Sequence, residues 1–184
     1  DDLCFSAPKS VSVAWSLASP ELRDAVEKKM ERAVKDALDY IQAECGYARV
    51  GAQGQELART PLAFAIFSHC SSRAGDPNLH FHAVCPNLVL HENANGKLRV
   101  TALDSTNFYH HKMTAGALFR ASLAAGLQEL GLEVERDRFA FRLKGFSEAV
   151  CEKFSQRRAE IVEGILSAAK VMGNLSELDA REVL

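Results

Sequence analysis

Apolar residues recur at every third or fourth position over several long stretches of the chain, and this spacing predicts helices. The longest stretch follows Ser19 and Pro20, which are typical first residues of a helix. It ends at Gly46, a typical residue after the last turn. Three more helices are predicted, over residues 8–18, from about Lys112 to residue 131, and over residues 147–173.

Shorter apolar runs bounded by turn residues predict strands. Residues 62–67 form one run, which delivers His69 at its end, and a second run opens with His80. Because both runs are apolar on both faces near their centres, we expect the two strands to lie centrally in a sheet. The dipeptide Asn95-Gly96 separates two further runs and is a strong hairpin signal, and a second hairpin is predicted across residues 136–138.

Helices interleaved with sequential hairpins predict an α+β fold in which helices cover one face of an antiparallel sheet. The chain has 184 residues, of which 47% are hydrophobic, so we expect one domain over residues 1–184. The sequence contains no apolar run of 18 residues, and we therefore expect no membrane span. Five cysteines without a CxxC pair argue against a disulfide framework and a zinc ribbon, and favour a reducing, cytoplasmic setting.

The overall charge does not suggest a general nucleic-acid-binding protein. The formal net charge is −2 and the isoelectric point is near 6.3. A nucleic-acid groove needs only a local basic stripe, however. The candidates for such a stripe are Lys9, Arg73, Lys97, Arg99, Arg136, Arg138, Arg142 and Lys144.

Three of the six histidines indicate chemistry. His80 and His82 are separated by one residue, so on a strand both side chains leave the same face. His69, at the end of the preceding strand, completes a triangle. Three imidazoles with an open remaining position are typical of a catalytic divalent-metal site, although a single buried histidine is more often a hydrogen-bonded core residue. The spacing therefore predicts a metal site and leaves the reaction open.

Several segments, in order, resemble the relaxase domain of MobF-class (TrwC-like) conjugative relaxases, which belong to the HUH endonucleases. They are DLCFSAPKSVS at residues 2–12, FSHCSSRAGDPNLHFHAVCPN at 67–87, FYHHKMTAGALFRASLAAGLQELG at 108–131 and FSQRRAEI at 154–161. The resemblance implies a palm-like antiparallel β-sheet with helices packed on one face and the three-histidine metal site on the other. It also implies site- and strand-specific nicking of single-stranded DNA at a transfer origin, through a covalent phosphotyrosine that starts plasmid transfer.

The same resemblance assigns roles to individual residues. It implies that Asp2 supports the histidines or helps to activate the tyrosine, and that His69, His80 and His82 bind the metal. Mg²⁺ or Mn²⁺ is the ion expected in use, whereas three imidazoles hold Zn²⁺ or Ni²⁺ more tightly. The expected partners are transfer-origin DNA and other relaxosome or conjugation proteins, and the expected state is a monomer. The candidate DNA-binding residues are Ser6, Lys9, Ser72 and Arg73.

The nucleophile is the part that we expect this sequence to lack. The tyrosines of the resembled family lie well upstream of the FSAPKS segment, and the sequence begins four residues before Phe5. We therefore expect these 184 residues alone to be inactive. Tyr109, beside two histidines, is the one alternative nucleophile in the chain.

Two other functions fit the residues. One is a metal-stabilised module that binds single-stranded DNA without cutting it. The other is an unrelated three-histidine hydrolase that uses a metal-bound hydroxide. Binding of single-stranded DNA and cleavage of the strand separate these possibilities.

Overall fold

A computed structural model of the chain describes residues 1–93, 95–138 and 140–172. The helices are α1 (Lys9–Leu17), α2 (Pro20–Cys45), α3 (Thr106–Glu129), α4 (Glu148–Lys153) and α5 (Gln156–Met172). The strands are β1 (Asp2–Ser6), β2 (Tyr47–Val50), β3 (Glu56–Arg59), β4 (Ala65–Ser71), β5 (Pro77–Val84), β6 (Leu88–Glu92), β7 (Leu98–Ala102), β8 (Val134–Asp137) and β9 (Ala140–Leu143). None of the described helices combines the length and the hydropathy needed to cross a bilayer.

The central sheet contains three antiparallel strands in the order β1-β5-β4. The expectation that both histidine strands lie centrally is correct for β5 and wrong for β4, which is an edge strand among the described residues. All seven residues of β4 are exposed, including Ile66 and Phe67. Strand β4 also runs on to Ser71, so His69 lies within the strand rather than at its end.

Helices cover one face of this sheet, which confirms the predicted α+β class. Phe5 and Phe81 are buried on that face, and the Phe5 ring lies 5.3 Å from the Phe119 ring of α3. Helix α2 packs against α3 and contributes the fully buried Met30 and Ile41. Burial of these large apolar side chains is the main stabilising term of the fold.

Helix α1 joins the central sheet to the β8–β9 hairpin through two buried hydroxyls. The Ser12 hydroxyl accepts a hydrogen bond from the Leu79 amide, and the Ser10 hydroxyl accepts one from the Leu143 amide, both at 3.0 Å. Both serines are at most 2% exposed. These two hydroxyls satisfy strand amides that would otherwise be buried without a partner.

Two helix boundaries differ from the prediction. Helix α3 begins at Thr106, six residues before Lys112. The Phe108 side chain in its first turn is buried and packs in the core. The single helix predicted from residue 147 is two helices, α4 and α5. Ser155 separates them, since its carbonyl accepts the amides of Arg158 and Ala159 and so begins a new helix. The predicted helix end at residue 173 lies outside the described residues.

Among the residues that the structure describes, three two-stranded hairpins accompany the central sheet: β2–β3, β6–β7 and β8–β9. The hairpin predicted at Asn95-Gly96 is confirmed. Asn93 Oδ1 accepts hydrogen bonds from the amides of Asn95 and Lys97, and Gly96 adopts a φ of 72°, which glycine tolerates best.

Candidate metal centre

The central sheet has one open face, and the register of its strands determines which side chains share that face. Directly opposed residues of antiparallel strands lie on the same side. Leu79, Phe81 and Ala83 of β5 are buried, so the alternate residues of β5 point to the open face. That face carries three rows: Ser6, His80 and His69; Cys4, His82 and Phe67; and Asp2, Val84 and Ala65.

His69, His80 and His82 converge on this face. Each offers one ring nitrogen, and these three nitrogens all lie within 4.8 Å of one another. The three ring centroids are 5.1 to 5.3 Å apart. His69 is exposed and the other two are half-buried, so the cluster is open on one side. An open three-histidine cluster has the donor set and the access of a catalytic metal site.

Two of the rings are oriented by hydrogen bonds at Nδ1. His82 Nδ1 lies 2.8 Å from Asp2 Oδ2, and His80 Nδ1 lies 2.8 Å from the carbonyl oxygen of Asn78. A carboxylate or carbonyl oxygen only accepts, so Nδ1 carries the hydrogen and donates in both cases. The Asn78 side-chain nitrogen also lies 3.2 Å from His80 Nδ1, but the carbonyl oxygen is the nearer of the two groups and determines the tautomer. This leaves the lone pair of each ring on Nε2, the atom able to bind a metal. Such partners fix the tautomer and orientation of metal-binding histidines in proteins.

A tight turn holds the two histidine strands in register. The register of the β4–β5 pairing shifts between His69 and Ser71, and the turn begins directly after Ser71. Ser72 closes the turn, because its hydroxyl accepts the amides of Ala74 and Asp76, both at 3.2 Å. This hydroxyl, which the sequence suggested as a DNA contact, is therefore already used as an acceptor within the turn. Arg73 is exposed beside it.

Lys9 lies where α1 meets the start of β5. Its ammonium group donates to the carbonyl oxygen of Pro77 at 3.0 Å. Burial lowers the pKa of Lys9 from its usual value, and the nearby carboxylate of Asp76 opposes this effect. Asp76 itself is 3% exposed and accepts a hydrogen bond from the Arg157 amide of α5 at 3.4 Å. The sequence analysis did not identify Asp76 as a contact between the turn and α5, although an Asp-Pro pair at the start of a strand was a usable signal.

Ser6 is the remaining predicted DNA contact. It is exposed on the open face, directly opposite His80. Part of the predicted basic stripe is neutralised, because Arg142 pairs with Glu135 and Lys144 with Glu133, each at 2.6 Å.

None of the chain's tyrosines contacts the three imidazoles within the described structure. Tyr40 is hydrogen-bonded to His111 Nδ1 at 2.6 Å, in the interface between α2 and α3. Tyr47 lies under the Arg59 guanidinium, 4.5 Å from ring centre to Cζ. Tyr109 is 69% exposed, with the Lys112 ammonium 4.0 Å from its ring centre. It lies on α3, which packs against the helix-covered face of the sheet rather than the histidine face.

A helix-backed antiparallel sheet that carries a His-x-His strand and a third histidine on its neighbour is the architecture expected of a relaxase domain. Comparison with known proteins identifies the family. The TrwC relaxase family model matches residues 1–178. This chain belongs to the TrwC relaxase family.

Individual relatives agree with this assignment. The multifunctional conjugation protein TraI of Escherichia coli (strain K12) is 33% identical over 144 residues, which cover 73% of this chain and 8% of TraI. A metal-bound structure of the conjugative relaxase TrwC in complex with oriT DNA matches with a TM-score of 0.78 and 31% identity, over 97% of this chain and 61% of that one. A copper-bound TrwC–oriT structure matches with a TM-score of 0.77 and 30% identity, over 99% of this chain and 61% of that one. The chain thus spans less than a tenth of TraI and about three fifths of these TrwC chains.

Proposed function

We propose that this domain is the metal-holding core of a conjugative relaxase, which nicks one DNA strand at a transfer origin and becomes covalently linked to it. The observation that carries the proposal is the convergence of His69, His80 and His82 on the open face of the sheet. Family membership and the oriT DNA in the solved TrwC structures support the choice of substrate.

The three imidazoles fit a divalent ion, which they would hold through one nitrogen each. A divalent ion at this position supplies Lewis-acid polarisation of a phosphodiester oxygen. We propose Mg²⁺ or Mn²⁺ as the ion in use. The all-imidazole donor set favours softer ions such as Zn²⁺ or Ni²⁺ in affinity, so availability rather than affinity would select the ion.

Asp2 acts, in this proposal, by positioning His82. Its carboxylate accepts the Nδ1 hydrogen, which holds the ring and makes Nε2 a better donor. Ser6, Lys9, Ser72 and Arg73 are proposed to contact the DNA backbone around the histidines. The exposed hydroxyl of Ser6 and the exposed guanidinium of Arg73 are the groups best placed to do so.

The nucleophile is proposed to come from a part of the protein outside these 184 residues. Transesterification needs an activated hydroxyl at the metal-bound phosphodiester. Tyr40, Tyr47 and Tyr109 all have other surroundings within the described structure. These 184 residues alone would therefore hold metal and DNA without forming the covalent intermediate.

A denaturing-gel assay with end-labelled transfer-origin oligonucleotides and Mn²⁺ tests this function. The full protein that contains this domain should form a covalent adduct, and His80→Ala with His82→Ala should abolish it. The 184-residue chain should form none. An adduct formed by this chain alone and lost in Tyr109→Phe would move the nucleophile to Tyr109, and no adduct from the full protein would refute nicking.

A further inference from the structure

A second, smaller site adjoins the histidine centre. A groove of about 350 Å³ lies between the start of β5, the N-terminus of α1 and the first turn of α5. Asn78 lines this groove, and its carbonyl oxygen accepts the Nδ1 hydrogen of His80. Asn78 and His80 are two residues apart on one strand, which is about 7 Å. The groove and the histidine centre therefore share one wall.

The charges of the groove favour an anion. Lys9, Arg157 and Arg158 line it, against the single carboxylate of Asp76. Asp76 is buried and accepts a hydrogen bond from the Arg157 amide. Within the described residues, Arg158 forms no ion pair, and the pair between Arg157 and Glu160 is long, at 3.5 Å, and exposed. An excess of positive charge therefore remains in the groove.

A larger cleft also contains Arg158 in its lining, but its balance of charges differs. Its volume is about 790 Å³, and the carboxylates of Asp137, Glu148, Glu152 and Glu163 line it together with the cations of Lys9, Arg142 and Arg158. Carboxylates outnumber cations there, whereas cations outnumber carboxylates in the smaller groove. The smaller groove is therefore the more favourable of the two for a phosphate.

We propose that this groove binds a backbone phosphate of the DNA strand, next to the phosphodiester at the histidine centre. The inference rests on the proposed function, because it assumes that a single strand lies across the open face. Arg157 and Arg158 supply planar guanidinium groups, which suit phosphate oxygens better than a point charge does. The segment at residues 154–161 thereby acquires a role as one side of the DNA path.

Fluorescence anisotropy with 5′-labelled (dT)12 tests the groove, measured from 50 to 200 mM NaCl. The test variant is Arg157→Gln with Arg158→Gln. The control is Arg32→Gln with Lys35→Gln, which removes the same charge from exposed positions of α2, a helix that packs against α3. The groove variant should bind roughly tenfold more weakly, and its log–log salt slope should fall by about 0.7 for each phosphate that it no longer neutralises. The control should keep the slope of the unchanged chain.

Three further results separate the possible failures. Mn²⁺ affinity, measured by calorimetry, should stay unchanged in the groove variant, and Arg157→Lys with Arg158→Lys should restore most of the slope. If the groove variant loses Mn²⁺ binding through misfolding, Arg158→Gln alone replaces it. Equal slopes and affinities in the groove variant and the control would overturn the groove and leave the proposed function standing. No binding of (dT)12 by the unchanged chain would overturn the groove, whereas the covalent-adduct assay decides the proposed function separately.

Discussion

Replacing Asp2 with asparagine tests how far metal binding at the proposed centre depends on the hydrogen-bond partner of His82, one of its proposed ligands. The carboxylate accepts the Nδ1 hydrogen of His82 through Oδ2 at 2.8 Å and lies 3.1 Å from it through Oδ1. Loss of such a partner typically costs 10- to 100-fold in metal affinity. Asparagine keeps an acceptor oxygen for the Nδ1 hydrogen. The Asp2 side chain is also 51% exposed, so solvent already screens its charge. We therefore expect metal affinity to fall by the lower value of this range, about tenfold.

Calorimetric titration with Mn²⁺ measures this effect, and the chain offers a matched control. Asp1→Asn removes the same charge one residue away, from a side chain that forms no hydrogen bond within the described structure. Asp2→Asn should bind about tenfold more weakly and Asp2→Ala about 100-fold, whereas Asp1→Asn should bind like the unchanged chain. Equal affinities for Asp2→Asn and Asp1→Asn would refute a specific role for the carboxylate.

Two further predictions concern the scaffold. Ser12→Ala should lower the free energy of unfolding by about 1–3 kcal/mol in urea denaturation, because it leaves the buried Leu79 amide without an acceptor. The half-buried Ser16→Ala, whose hydroxyl donates to a carbonyl oxygen of its own helix, should cost less, and the reverse order would contradict this account. Hydrogen bonds from Arg49 hold the pKa of Asp104 below its usual value. The ionised carboxylate therefore stabilises the folded state fully when the pH is above the pKa of Asp104 in the unfolded chain. This stabilisation is lost as the pH falls through the lower pKa of the folded state. Asp104→Asn should therefore destabilise the protein at pH 7 and lessen the pH dependence of stability below about pH 4, and a variant with an unchanged acid-denaturation curve would show that the ion pair is not stabilising.

Local patterns in the sequence predicted the features that depend on neighbours along the chain. The i, i+2 spacing of His80 and His82 requires a shared face on any strand, and Ser19 caps α2 as predicted, since its hydroxyl accepts the Leu22 amide. The sequence alone did not determine that His69 lies opposite His80. The register of β4 against β5 depends on the turn that Ser72 closes.

Features that depend on distant packing were not predictable in the same way. The apolar residues of β4 are typical of a central strand. Whether a further strand pairs with its second edge does not follow from the order of apolar and polar residues within β4 itself. The two buried serines of α1 look like any polar helix start until Leu79 and Leu143 are brought against them. The groove likewise depends on α5 meeting the turn at Asp76, a contact between residues 81 positions apart.

The central claim is that one divalent ion binds at His69, His80 and His82. Calorimetric titration of the 184-residue chain with Mn²⁺, repeated with Zn²⁺, tests it most directly. We predict one site per chain, lost in His80→Ala with His82→Ala and retained in the control His91→Ala with His110→Ala, two histidines outside the cluster. Unchanged affinity in the first variant, or equal loss in the control, would contradict the assignment of the metal centre.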